Sequence, residues 1–306
     1  MIKVENLSRS YGSVKALDSV SFTASVGQIT AFLGPNGAGK TTAFKILSGY
    51  LAQDSGSVFI GGMDASLHPL QCRAMTGYLP ENNPLYEDME VCEFLVWGGA
   101  ARGLCGQALA SALDRVVQTC GLAPAAGKPI GALSKGFRQR VGIANALIHS
   151  PKILLLDEPS SGLDPNQAAE LRGLIRNLSH ETAVLLSTHI LSEAQALCDK
   201  VVLINRGVIA VQGTPQELAR AKAPVLIAVF EQEAPASVQE AIAGLEGVSA
   251  VERDREAEDI VLRIYCVQGA DLRGEVFALA ARSGWPLLEL KRERDWLEAM
   301  FRELTA

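Results

Sequence analysis

The stretch Gly34-Pro35-Asn36-Gly37-Ala38-Gly39-Lys40-Thr41-Thr42 constrains this chain more than any other, because it fills every fixed position of the phosphate-binding pattern Gly-x-x-x-x-Gly-Lys-Ser/Thr. Such a loop works only between a buried strand and a helix. Gln28 to Leu33 is a mostly apolar run suited to that strand, and Lys40 to Ser48 reads as the helix, with Gly49 placed to end it. A strand, a glycine-rich turn and a helix N-terminus aim several backbone N–H groups at one anion, and the helix dipole adds to the attraction. Lys40 then reaches the β- and γ-phosphates, and the Thr41 hydroxyl is placed to hold Mg²⁺. The stretch predicts a nucleotide site.

With 306 residues, two domains are expected. Up to about Gly213, short apolar strands alternate with helical segments. Ile153 to Leu156 and Ala183 to Leu186 are continuous apolar runs that suit central strands covered on both faces. Residues 89–121 have helical periodicity, interrupted at Gly98-Gly99 and Gly103. Thr214, Pro215 and Glu217 stand as cap, first residue and third residue of a further helix. After Pro224 the texture changes. Strands over Val225–Phe230, Val248–Arg253, Ile260–Val267 and Trp285–Leu290, with helices over Ser237–Leu245 and Leu272–Ala281, give the β-α-β-β-α-β order of a ferredoxin-like unit. A closing helix is expected over Asp295–Leu304. The boundary is placed near 220, giving domains 1–220 and 221–306.

The 28 basic and 34 acidic side chains leave a net charge of −6, which carries no electrostatic footprint for nucleic acid or an anionic membrane. No signal peptide is visible, and no window reaches the roughly 18 consecutive apolar residues of a membrane span. The six cysteines (Cys72, Cys92, Cys105, Cys120, Cys198 and Cys266) include no Cys-x-x-Cys pair, and the four histidines are isolated. Reduced thiols and no zinc site are expected, in a cytosolic setting.

A P-loop alone leaves GTPases, small-molecule kinases, helicases and transport ATPases open. Three downstream stretches bear on the choice. Asp157 and Glu158 end the Ile153–Leu156 run, where Asp157 can meet Mg²⁺ and Glu158 can polarise an attacking water; an exposed acidic strand end is the plainer alternative. Ser134 opens a helix with Val141, Ala144, Leu147 and Ile148 on one face, as a simple N-cap or as part of an anion site with Gly136. Asp164 reads as N-cap before Pro165, with Gln167 at the third helical position, while His189 ends the Ala183–Leu186 run.

In this order these motifs resemble an ATP-binding cassette (ABC) ATPase over residues 1 to about 215. The resemblance implies an α/β fold with a RecA-like P-loop NTPase core, an antiparallel β subdomain and an α-helical subdomain, here followed by the small α+β ferredoxin-like domain. It implies ATP and Mg²⁺, held by Thr41 and Asp157 and by Glu81 in the place of the family's usual Gln. Glutamate can ligate the metal but cannot donate a hydrogen bond to water or phosphate. Tyr11 takes the place of the aromatic that stacks on adenine. Lys135 and Phe137 replace the commoner Gly and Gln of the signature, while Ser134 and Gly136 are kept.

The same resemblance assigns Glu158 as general base, His189 to the γ-phosphate and Asp164 to communication across a dimer in which Ser134 and Gly136 of one cassette cover the ATP of the other. The second subunit is a copy or a paralogue. Tyr78-Leu79-Pro80-Glu81, Leu133 to Arg140 and Trp296 to Thr305 are similar to ABC-2-type exporter ATPases, with the gliding-motility-associated and multidrug-type bacterial ones the nearest likeness. A separate integral-membrane permease is implied, docked near Leu85–Trp97, with the chain peripheral on the cytoplasmic face of the plasma membrane. The other reading is a soluble cassette ATPase acting on a ribosome or DNA. Single-cassette length, the short interval from Lys40 to Asp157 and the acidic balance speak against it.

Overall fold

A computed structural model of the chain describes residues 1–215, 217–218, 225–231, 235, 237–254, 259–267 and 270–292. Two compact units divide at Pro215 and Gln216. In the first, β1 (Ile2–Tyr11), β2 (Val14–Ala24), β4 (Ser55–Ile60) and β5 (Met63–Asp64) form an antiparallel sheet in the order β2-β1-β4-β5. The second sheet runs β10 (Val208–Gly213), β9 (Lys200–Asn205), β3 (Ile29–Leu33), β8 (Ala183–Thr188), β7 (Ile153–Asp157), β6 (Thr76–Leu79). All its neighbours are parallel except β10 against β9. Strands β3, β7 and β8 are buried along their whole length, which is why they read as unbroken apolar runs without alternation.

Helix α1 (Lys40–Leu47) packs under the central sheet, and Phe22, Phe32 and Phe44 join the two sheets and this helix with ring centroids 5.1 and 6.2 Å apart. Helix α2 (Pro69–Ala74) precedes β6. The helical subdomain comprises α3 (Val91–Ala100), α4 (Gly106–Thr119) and α5 (Lys135–Leu147), and α6 (Pro165–Leu178) and α7 (Leu191–Leu197) complete the unit. One expectation fails here. Gly98 and Gly99 lie inside α3 and do not interrupt it; the chain breaks between Ala100 and Gly106. The glycines serve close approach: a Cβ at Gly98 would sit 2.0 Å from Asn145 Oδ1 on α5.

The second unit contains β11 (Val225–Phe230), α8 (Val238–Ala243), β12 (Val248–Asp254), β13 (Ile260–Cys266), α9 (Arg273–Ser283) and β14 (Leu287–Arg292). The sheet order β12-β13-β11-β14, with every pairing antiparallel, is the ferredoxin-like topology. Alternation along β11 and β13 turns Leu226, Ala228, Phe230, Leu262 and Ile264 onto Val238, Ile242, Val276 and Ala280 of the two helices. The closing helix expected over Asp295–Leu304 lies outside the described residues. So does the helix expected from Thr214, beyond Leu218.

Candidate nucleotide site

The P-loop joins β3 to α1 at the carboxyl end of the parallel strands. Two of its glycines are dictated by neighbours. A Cβ at Gly34 would lie 2.3 Å from the Ile204 carbonyl oxygen, and one at Gly39 the same distance from that of Ala16. Gly39, at φ 105°, also caps α1 in a conformation that side chains strain. The loop is tied down at both ends: Gly34 N–H donates to the Thr188 carbonyl at 3.2 Å, and Gly207 N–H to that of Ala38 at 3.1 Å.

Lys40 is only 6 % exposed and folds back over the loop, donating from Nζ to the Gly34 carbonyl at 2.8 Å and to that of Pro35 at 3.2 Å. The same Nζ lies 3.2 Å from Glu158 Oε1. That contact is an ion pair by distance without hydrogen-bond alignment, since Oε1 is buried and accepts no hydrogen bond. Glu158 Oε2 lies 2.8 Å from His189 Nδ1; with its proton there, His189 donates to the carboxylate. The His189 side chain is 43 % exposed, so its remaining nitrogen can face a ligand. Glu158 adopts φ 50°, outside the range favoured by side chains, and its N–H donates to Ser187 Oγ at 2.9 Å.

Asp157 is fully buried. Burial pushes its carboxyl above the ordinary range, the hydrogen bond from Ser187 and the nearby Thr41 hydroxyl oppose it, and the Glu81 and Glu158 charges add to the rise. Oδ1 accepts from Ser187, while Oδ2 has no partner. A buried carboxylate with an orphaned oxygen beside a threonine hydroxyl suits a hard divalent cation. No group of three or more His, Cys, Asp or Glu that could hold a metal occurs among the described residues, so a cation here would draw on phosphate and water oxygens as well, as Mg²⁺ commonly does. Glu81 is exposed and acts on Asp157 through its charge.

Thus Lys40, Thr41, Asp157, Glu158 and His189 come together. Among the described residues no hydrogen bond or ion pair ties Ser134, Gly136, Asp164 or Tyr11 to them. The Ser134 hydroxyl caps α5 by accepting from Phe137 N–H at 3.4 Å, and Gly136 is buried against Gln167. Asp164 caps α6, accepting from Asn166 and Gln167 N–H at 2.9 Å each. Tyr11 is exposed, with the Arg9 guanidinium 5.4 Å from its ring centre.

Sequence reasoning missed Ser187, whose hydroxyl meets Asp157 because β7 and β8 pair with those two residues opposite each other. It also missed Gln139. Buried in α5, this amide donates to the Pro159 carbonyl at 2.9 Å and accepts from Asn83 Nδ2 at 2.9 Å, joining the loop after Glu158 to the loop after Glu81. The signal for Ser187 was a pair of hydroxyls, Ser187 and Thr188, closing an apolar run; Gln139 carried none that its helix would not explain.

The profile of the ABC transporter family matches residues 17–161. An uncharacterized ABC transporter ATP-binding protein of Bacillus subtilis, YxlF, is 40% identical over 218 residues, covering 71% of this chain and 72% of the relative. The Nod factor export ATP-binding protein I of Ralstonia nicotianae is 35% identical over 219 residues, 71% of this chain and 68% of its own. A solved ATP-binding subunit of an ABC transporter is 30% identical with a TM-score of 0.65, covering 72% of this chain and 92% of that one.

Proposed function

The chain belongs to the ATP-binding proteins of ABC transporters, and on that premise we propose that it powers an ABC-2-type exporter by closing on a second cassette around ATP. As a member of that family it is an ATPase subunit of a transporter. The observation that supports the catalytic part of this reading is the Lys40–Glu158–His189 cluster at the mouth of the P-loop, with Lys40 and Glu158 buried and His189 open to solvent.

In this reading residues 1–220 are the ATP-binding cassette and 221–306 an accessory domain. The loop amides from Gly34 to Thr42 cradle the phosphates, and Lys40 exchanges its backbone carbonyls and Glu158 for the β- and γ-phosphate oxygens. Thr41 and Asp157, with the charge of Glu81 nearby, would hold Mg²⁺. Bound there, the cation supplies positive charge against the phosphate oxygens. Glu158, freed from Lys40, accepts a proton from the attacking water, and His189 orients its carboxylate while its exposed edge faces the γ-phosphate. Ser134 and Gly136 make no hydrogen bond to this cluster among the described residues. Their role is to cover the ATP of a second subunit, with Asp164 at the interface between the two. Tyr11 is the adenine platform. Leu85, Tyr86, Met89 and Trp97 line an exposed groove, which is the docking place for an integral-membrane permease, so that the chain works on the cytoplasmic face of the plasma membrane.

Glu158→Gln tests the chemistry. The amide keeps the shape of the site and cannot take the proton, so steady-state ATP turnover should fall about 10²–10⁴-fold while ATP binding persists. Near-normal turnover would end the assignment of Glu158.

A further inference from the structure

A second buried carboxylate stands behind the first. Glu193, in the first turn of α7, is 5 % exposed and has no cationic partner among the described residues. Its two oxygens are satisfied by hydroxyls from different segments. Ser160 Oγ donates to Oε1, and Thr188 Oγ1 donates to Oε2 at 2.6 Å. Ser160 is two residues past Glu158, and Thr188 immediately precedes His189. Thr188 is itself fully buried; its hydroxyl also accepts from Ile190 N–H at 3.0 Å, and its carbonyl receives the Gly34 N–H. One side chain therefore spans the loop after β7 and the end of β8, the two segments that carry the Glu158–His189 pair.

Stability alone is a poor account of such a residue, because an anion buried without a cation generally costs more than an apolar side chain of similar volume. We infer that Glu193 is a positioning residue that sets the separation of Glu158 and His189 and anchors both to the P-loop through Thr188. This rests on the ATPase reading above. Glu158 holds a conformation side chains disfavour, and His189 sits exposed just past the buried end of β8. Neither would keep its place from local propensity, and the Glu193 clamp fixes the backbone on both sides of their contact.

The test compares ATP turnover, KM and melting temperature for Glu193→Ala, Glu193→Gln and Thr188→Val, with Glu158→Gln and His189→Ala as controls. Glu193→Ala should lower kcat by about tenfold or more with KM within about twofold, because placement and not ATP binding is lost. Glu193→Gln should recover most of the loss, since an amide can still pair with both hydroxyls. In a His189→Ala background, Glu193→Ala should have little further effect. If Glu193→Ala does not fold, Thr188→Val removes one of the two contacts at constant shape and should show the same kcat-selective loss. Crippled controls beside a Glu193→Ala or Thr188→Val of wild-type kcat, or losses fully additive with His189→Ala, would overturn the positioning role. Controls with normal turnover would instead overturn the ATPase reading on which it rests.

Discussion

At the scale of single residues, the site was legible where the backbone itself writes the chemistry. Gly34 and Gly39 cannot carry a Cβ beside the Ile204 and Ala16 carbonyls, so their spacing announces the loop before any contact is known. Contacts created by strand register leave no such trace: Ser187 faces Asp157, and Glu193 reaches Ser160 and Thr188, only once β7 and β8 lie side by side. A residue outside the site shows the same limit and yields a prediction. His149 is partly buried; its Nε2–H donates to the Thr76 carbonyl at 3.2 Å, while Nδ1 is buried without a partner. Desolvation first, then the Arg102 and Arg115 charges, push its pKa down to about 4, against the weaker opposing pull of the Thr76 carbonyl. The folded pKa lies below the unfolded one, so protonation favours unfolding. The stability is present above the unfolded value and drains as pH falls from there toward the folded one, by up to about 2 kcal/mol between pH 7 and 5. His149→Gln keeps a donor and removes the titration; urea unfolding at the two pH values should show the wild type losing more than the variant. Equal losses would contradict this.

At the scale of elements, most of the fold could be read because its signals are local. The apolar runs of β3, β7 and β8, the alternation of β11 and β13, and the caps at Ser134 and Asp164 all stand where propensity and pattern place them. Gly98-Gly99 misled because glycine signals a break only when nothing packs against it; here Asn145 presses on Gly98 and Leu109 on Gly99, and the helix continues. Helix α5 ends under cations, with Arg115 donating to the Leu147 and Ile148 carbonyls and Arg102 to that of Asn145. Asp164 carries two roles that experiment can separate. Its cap accepts two N–H groups, so Asp164→Ala should cost about 1 kcal/mol in the nucleotide-free chain, while Asp164→Asn should lose little. Urea unfolding of the two variants checks this; equal stability would remove the capping role.

At the scale of the whole molecule, the division of labour follows from where the residues stand. Five of them, Lys40, Thr41, Asp157, Glu158 and His189, close on one point, while Ser134, Gly136 and Asp164 sit at helix starts with no hydrogen bond or ion pair to that point among the described residues. The residues alone do not divide them into two groups, which only the family resemblance implies, because the grouping depends on the packing of α5 and α6. On the proposed function, a chain that carries both halves of an ATP site without contact between them is completed by a second chain, and that is the central claim. It is tested most directly by the mass of Glu158→Gln on a sizing column with saturating ATP. The account predicts the mass of two chains with ATP and of one without it, and the mass of one chain again when Ser134→Arg is added to the same protein. A Glu158→Gln protein that binds ATP yet stays a single chain, or one that pairs equally well with Ser134→Arg, would contradict it.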